Sequence, residues 1–299
     1  MSALLLVRYG ELALKSPPVR REFERTLQRN ILEQFAAARS TCRLRNDRGH
    51  FYVESDDAEA AALIVRRVFG VTSVSVVWEV STDRPELTRR VIELSDALLG
   101  PGRSFAVRAR RTGEHPFTSQ ELARDLGSEI IARFSDRQLR VDLDHPDVEV
   151  FVEVRGPRTY LYFGRQRGPG GLPLGVAGRV VALVDGTRGA LGAFLMMKRG
   201  CRCDLVATAN GADLARRILG RFDPRSSVEL APGTGEEAEV AMRTAADSHH
   251  ADGIVLPLTI DAYAEAHARW GDRVVFSPTV GLTDEEVEHR WHDVQALAG

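Results

Sequence analysis

Apolar and polar positions alternate with two distinct periods along this chain, and each period predicts a different kind of element. The period-two run Val148-Glu149-Val150-Phe151-Val152-Glu153-Val154 predicts a strand with one buried face. Ser104-Phe105-Ala106-Val107-Arg108-Ala109-Arg110-Arg111 alternates small or apolar residues with arginines and predicts a half-buried strand. Leu4 to Val7 predicts a first strand. Spacings of four through Leu27, Ile31 and Phe35, with Arg and Glu between them, predict an amphipathic helix from Arg20 onward. Leu122, Leu126 and Ile130 repeat that spacing, with Ser119 positioned to cap the helix.

After about residue 176 the two periods take turns. Arg179 to Val184 is an apolar run followed by Gly186, Gly189 and a helical pattern through Leu191, Phe194 and Leu195. Cys203 to Thr208, Ser227 to Leu230, Ile254 to Leu258 and Val274 to Phe276 read as further strands. Gly211 to Leu219 and Glu236 to Ser248 read as helices, and Thr283 with Glu286 forms a capping box opening the last one. Strand and helix in turn imply a parallel sheet covered by helices.

Composition sets the scale of this layout. With 299 residues, 43% hydrophobic and 27% charged, the chain has material for two or three domains. It shows no apolar run long enough for a membrane span, so a soluble, cytoplasmic protein is expected. Three cysteines, Cys42, Cys201 and Cys203, argue against a disulfide framework. The formal net charge of −2 hides an asymmetry: residues 1–175 carry 27 Lys plus Arg against 24 Asp plus Glu, whereas residues 176–299 carry 13 against 18. The positive excess is amino-terminal and almost wholly arginine, Lys15 and Lys198 being the only lysines.

Arg108 and Arg110 point the same way on a strand, with Arg111 turning into the following loop, so they offer a rim for phosphate; a charged, solvated strand edge is the alternative. Arg20 and Arg21 at a helix start ask for an anionic partner, or are satisfied by Glu22 and Glu24. Cys201-Arg202-Cys203 supplies two thiols where a structural metal needs about four ligands, and His249-His250 and His289/His292 complete no ligand set, so no metal site is expected. Neither a Ser-His-Asp order nor a nucleophile elbow appears, and no catalytic residue is assigned.

Two longer motifs go further. Val7-Arg8-Tyr9-Gly10-Glu11-Leu12-Ala13-Leu14-Lys15, with Arg20, Arg21 and Phe23 at their distance from it, resembles the opening of ThiI, the tRNA 4-thiouridine synthetase family. Ser104 to Arg111, Thr112-Gly113-Glu114-His115-Pro116-Phe117-Thr118-Ser119 and the strand from Val148 resemble a THUMP domain, an RNA-binding module that captures the acceptor end of tRNA. Gly170-Gly171-Leu172-Pro173-Leu174-Gly175 and Leu195-Met196-Met197-Lys198-Arg199-Gly200 resemble the entry to that family's PP-loop ATPase domain. The resemblance implies a multidomain α/β fold. Its parts would be a ferredoxin-like α+β domain over 1–78, a THUMP α/β domain over 79–165, a linker over 166–176, and a Rossmann-like parallel-sheet domain of PP-loop type over 177–299. It further implies tRNA binding through Arg8, Lys15, Arg20, Arg21, Arg108, Arg110, Arg111, His115 and Ser119.

At the PP-loop itself the match fails. Counting back from Met196, the family's Ser-Gly-Gly-Ile-Asp-Ser falls on Val184, Asp185, Gly186, Thr187, Arg188 and Gly189. Both hydroxyls are gone, Asp185 stands where backbone should meet pyrophosphate, and Arg188 replaces the aspartate. The family's relay cysteine is missing around Gly233 to Ala238, and no room for a rhodanese-like domain is expected. The expectation is therefore a tRNA-binding scaffold or adaptor in tRNA modification with a vestigial loop (Asp185, Gly186, Arg188, Gly189) and no cofactor, partnered by a separate modifying enzyme, with a homodimer left open. An active sulfurtransferase using ATP to make 4-thiouridine, and an RNA binder regulated by another small ligand in the last domain, are the alternatives.

Overall fold

A computed structural model describes residues 4–10, 16–47 and 49–299; Lys15 lies outside them. The chain divides into two compact units, one of residues 1–6, 52–62 and 75–166, the other of 7–51, 63–74 and 167–299. The elements begin with β1 (Leu4–Tyr9), α1 (Pro17–Ala37), β2 (Arg43–Asp47), β3 (His50–Glu54), α2 (Ala58–Val65) and β4 (Val71–Ser81). Strands β1, β3 and β4 contribute residues to both units.

The first unit continues with α3 (Arg84–Ser95), β5 (Ser104–Thr112), α4 (Ser119–Arg133), β6 (Arg140–Val141), β7 (Val148–Arg155) and β8 (Arg158–Tyr162). Its strands pair in the order β4-β8-β7-β5-β6. The β7–β8 hairpin is antiparallel, whereas β5 lies parallel to β7 and the chain between them crosses over through α4. β7 alternates buried and half-buried positions along its whole length, as its period predicts. β5 does not: Ser104 to Val107 are all buried, and exposure grows from Arg108 to Thr112. The strand leaves the core partway along, because α4 covers only its first half, with Phe105 packed against Leu122, Leu126 and Ile130. A second apolar cluster joins Leu4, Leu6, Tyr52, Val77, Tyr160 and Tyr162.

The second unit takes up β9 (Gln166–Arg167), of which Arg167 belongs to it, then β10 (Arg179–Val184), α5 (Thr187–Lys198), β11 (Arg202–Ala207), a π-helical segment at Leu214–Leu219, α6 (Gly220–Phe222), β12 (Val228–Leu230), α7 (Glu236–Ser248), β13 (Gly253–Val255), α8 (Ile260–Arg269), β14 (Val275–Phe276) and α9 (Asp284–Ala298). The order β12-β11-β10-β13-β14 is parallel throughout. Successive residues of β10 supply opposite faces: Val180, Ala182 and Val184 meet α5 and Trp291 of α9, while Val181 meets Met242 of α7 and Trp270. α1 is held to this sheet domain by polar contacts. Gln34 donates to the carbonyls of Arg221 and Phe222, Asn30 to that of Leu174, and Arg202 bridges Glu33 and Asp223. Gly171 has φ 72°, and a Cβ there would lie 2.1 Å from the Lys198 carbonyl oxygen, so the approach to β10 tolerates no side chain.

Candidate nucleic-acid interface

Thr118, not Ser119, caps α4. Its side chain accepts from the Glu121 N–H, and Glu121 in turn accepts from the Thr118 N–H at 2.7 Å. Ser119 is therefore the first helical residue, and it faces a groove of about 510 Å³ together with Gln120, Arg108, Arg110, Phe151 and Arg165. Arg108 is partly committed, to Glu149 at 3.0 Å and to the Leu143 carbonyl at 2.6 Å. Arg110, paired in register with Glu153 on β7, is exposed and makes no ion pair with a described residue. Arg165, which the sequence reading missed, lies 4.5 Å over the Phe151 ring and donates to the Tyr162 hydroxyl; Phe151 and Tyr162 stack with centroids 4.7 Å apart. Its guanidinium is thereby pre-oriented on an aromatic platform. Two exposed-side cations and the positive end of a helix converge on one concavity, an arrangement that binds anions.

The groove continues into an apolar trench of about 680 Å³, with which it shares Val107, Gln120 and Ala123. Ile131, Val141 and Leu143 line that end and are all substantially exposed, Leu143 at 61%. Exposed apolar side chains beside a basic groove mark a binding surface more specifically than either alone.

Other expected cations are placed differently. Arg111 turns away from the groove and donates to the Gly113 carbonyl, since its side chain alternates to the opposite face from Arg110. His115 contacts the Thr112 carbonyl and stacks on Phe117, which fixes the loop. In the second unit, Arg20 donates to Glu24 at 2.8 Å, and Glu24 also accepts from Tyr9, whose hydroxyl is pushed up to about 12 by burial and by that carboxylate. Arg21 is exposed, and Arg8 lies half-buried on β1.

Asp185 and Gly186 join β10 to α5. Strand order reverses between β10 and β13, and their carboxyl ends open on a crevice of about 330 Å³. Asp185, Glu239 and Glu265 line it, and its Arg269 is engaged by Glu265 at 3.0 Å and Glu239 at 3.6 Å. Arg188 points elsewhere, donating to the carbonyls of Thr279 (2.8 Å) and Leu282 (2.9 Å) and to Asp284 (2.7 Å). Gly189 has no space for a side chain: a Cβ would lie 2.5 Å from the Leu183 carbonyl oxygen and 3.1 Å from Val184 Cα. Cys201 and Cys203 are both buried, Cys203 wholly, and burial pushes both thiols up, away from thiolate.

The family model described as the ThiI ferredoxin-like domain matches residues 4–75, and that described as the THUMP domain matches residues 81–163. The chain belongs to the ThiI-like family. This ThiI-like chain is 38% identical over 242 residues to the "Probable tRNA sulfurtransferase" of Methanothermobacter thermautotrophicus, covering 79% of its own length and 55% of that protein. It thus spans about half the length of the curated relatives it matches. Its fold is similar to that of PH1313 from Pyrococcus horikoshii Ot3, with TM-score 0.80 and 24% identity over 98% of this chain and 99% of that one. It is also similar to that of a 4-thiouridine synthetase solved as an RNA complex with bound ATP, with TM-score 0.76 and 21% identity over 100% of this chain and 86% of that one. No helix among the described residues is long and apolar enough to cross a membrane.

Proposed function

We propose that this ThiI-like protein binds tRNA at its acceptor end through the trench of the first unit and serves as a scaffold or adaptor in tRNA modification, without adenylating the RNA itself. The observation that carries the reading is the continuity of the trench. Phosphates meet Arg110, Arg165 and the α4 amino terminus, while unpaired bases meet the apolar end at Val107, Ile131 and Leu143. The names of the curated relatives support tRNA as the RNA. Arg8, Arg20 and Arg21 of the second unit offer further cations in this reading, with Arg111 and His115 ordering the loop between β5 and α4. A separate modifying enzyme then acts on the presented end.

The absence of adenylation rests on the crevice. A polyphosphate there would face Asp185, Glu239 and Glu265, each close like-charge pair costing about 1 to 4 kcal/mol in partly solvated surroundings. The one cation of the altered loop, Arg188, is spent on three bonds within the fold.

The test is filter binding of tRNA transcripts to the full chain alongside ATP–pyrophosphate exchange. Arg110→Ala with Arg165→Ala should weaken tRNA binding by about thirtyfold and reduce the log-salt slope by about two. No exchange should occur, with or without tRNA. Equal affinity and slope for the double variant would remove the trench assignment, and exchange that disappears in Gly186→Ala would promote the sulfurtransferase reading.

A further inference from the structure

A second concavity, in the second unit, plays no part in the reading above. It measures about 480 Å³ and is walled by α5, α9 and the segment Arg167–Pro169, with Arg66 beside it. Its charge is one-sided: Arg66, Arg167, Lys198 and Arg290 line it against the single carboxylate of Asp293. Arg167, Lys198 and Arg290 are exposed, and no described carboxylate lies within ion-pair distance of any of them. Arg66 donates only to a neutral group, the Ala296 carbonyl, and its buried Nε has no hydrogen-bond acceptor. The excess is felt next door, where burial first, and then Arg221 and Arg66, lower the affinity of the Arg67 guanidinium for its proton. Between the cations the floor is apolar, formed by Leu191, Phe194, Leu195 and Val294.

Unpaired cations around an apolar floor select for a ligand that is itself both anionic and apolar. We infer that this cavity binds a nucleotide-sized ligand, its base against Leu195 and Val294 and its phosphate among Arg167, Lys198 and Arg290. The volume is that of an ordinary small-molecule site, which ranges over about 300 to 1,000 Å³. An acidic peptide fits less well, since flexible carboxylates need an open basic surface and leave an enclosed apolar floor uncovered. The same nucleotide chemistry is offered by a free nucleoside monophosphate and by an unpaired residue of RNA. The site is distinct from the altered β10–α5 loop and does not depend on the trench of the first unit.

Saturation-transfer NMR and calorimetry on the full chain, with 5′-AMP, inorganic phosphate and a single-stranded oligoadenylate as probes, test this. Wild-type protein should transfer saturation to the adenine protons. Arg167→Ala with Lys198→Ala and Arg290→Ala should weaken AMP binding by about tenfold or more, all three being exposed side chains whose loss leaves the core intact. The single Lys198→Glu variant should do the same if the triple variant is unstable. Displacement of AMP by oligoadenylate at lower concentration supports RNA as the source, and failure to displace supports a free nucleotide. Unchanged AMP affinity in both variants overturns the inference, as does inorganic phosphate binding as tightly as AMP, or the absence of AMP binding at millimolar concentration. AMP affinity lost only in the Arg110→Ala, Arg165→Ala variant also overturns it, and assigns the nucleotide to the trench instead.

Discussion

The two units each contain a strand that hands over through a loop to a helix, and the two junctions have opposite chemistry. From β5 to α4 the loop is capped by the Thr118–Glu121 box, and the helix start opens on a groove holding Arg108, Arg110 and Arg165. From β10 to α5 only Asp185 and Gly186 intervene, the helix has no side-chain cap, and the crevice at the strand ends is lined by three carboxylates. Both positions are ones where a fold offers backbone N–H groups to an anion. Only the first surrounds that offer with cations that make no ion pair with a described residue, Arg110 and Arg165. The difference teaches that a helix start within a suitable fold is permissive, and that the side chains facing it decide whether anything binds.

The largest effect should come from reopening the second junction. Gly189→Ala places a Cβ 2.5 Å from the Leu183 carbonyl oxygen, 2.9 Å from Asp185 Oδ1 and 3.1 Å from Val184 Cα, and the backbone of β10 gives no room for relief. Denaturant unfolding should show a loss of about 3 kcal/mol. The matching change at the first junction, Gly113→Ala, meets only His115 Nε2 at 3.9 Å and is opposed by its φ of 93° alone, costing about 1 kcal/mol. If the two variants lose equal stability, the second loop is not closed in the way its geometry indicates.

Next in size is a contrast between arginines. Arg188→Ala removes three hydrogen bonds tying α5 to the segment before α9 and to the first residue of α9, and should cost about 2 kcal/mol, with faster amide exchange over residues 279–284. Arg110→Ala, which breaks no described ion pair, should stay within about 0.5 kcal/mol of wild type while lowering RNA affinity. An Arg188→Ala variant of unchanged stability would return that side chain to the list of residues available to a ligand.

The same contrast separates what was legible in the sequence from what was not. The parallel sheet after residue 176, the α7 boundaries and the Thr283 capping box follow from local periodicity and capping chemistry, and they are found where expected. The ThiI-like family and the THUMP module were legible in the sequence from Val7 to Lys15 and from Ser104 onward. The groove was legible only in part. Arg108 and Arg110 announce themselves by alternation, but Arg165 comes from the end of a hairpin and gains its place by stacking on Phe151, fourteen positions earlier, a long-range contact without a local signature. The fate of Arg188 was equally illegible: the carbonyls of Thr279 and Leu282, some ninety residues later, hold it. The helix expected over Gly211 to Leu219 contains a π-helical segment, Leu214–Leu219, whose Ala215 and Leu219 are buried in the core and which no residue in the sequence flags.

The smallest effect concerns two carboxylates, Asp185 at the second junction and Asp147 at the far end of β5 from the first, and here the sign carries the test. Burial raises the Asp185 carboxyl above its ordinary value of 3.8. The stability it contributes is complete below the unfolded value and is lost as pH rises through the folded one, so at neutral pH it opposes folding. At the start of β5, Asp147 accepts from the Ser104 N–H and hydroxyl, both at 2.8 Å, and these bonds hold its carboxyl below 3.8. Its contribution is present above the unfolded value and is lost as pH falls through the folded one. Asp185→Asn should therefore raise the melting temperature at pH 7, and Asp147→Asn should lower it. Both differences should shrink as the pH is brought down through the carboxylate range. A fall in melting temperature for Asp185→Asn at pH 7 would mean that the carboxylate is stabilised by a cation in the crevice, and the chemical opposition between the two junctions would then fail.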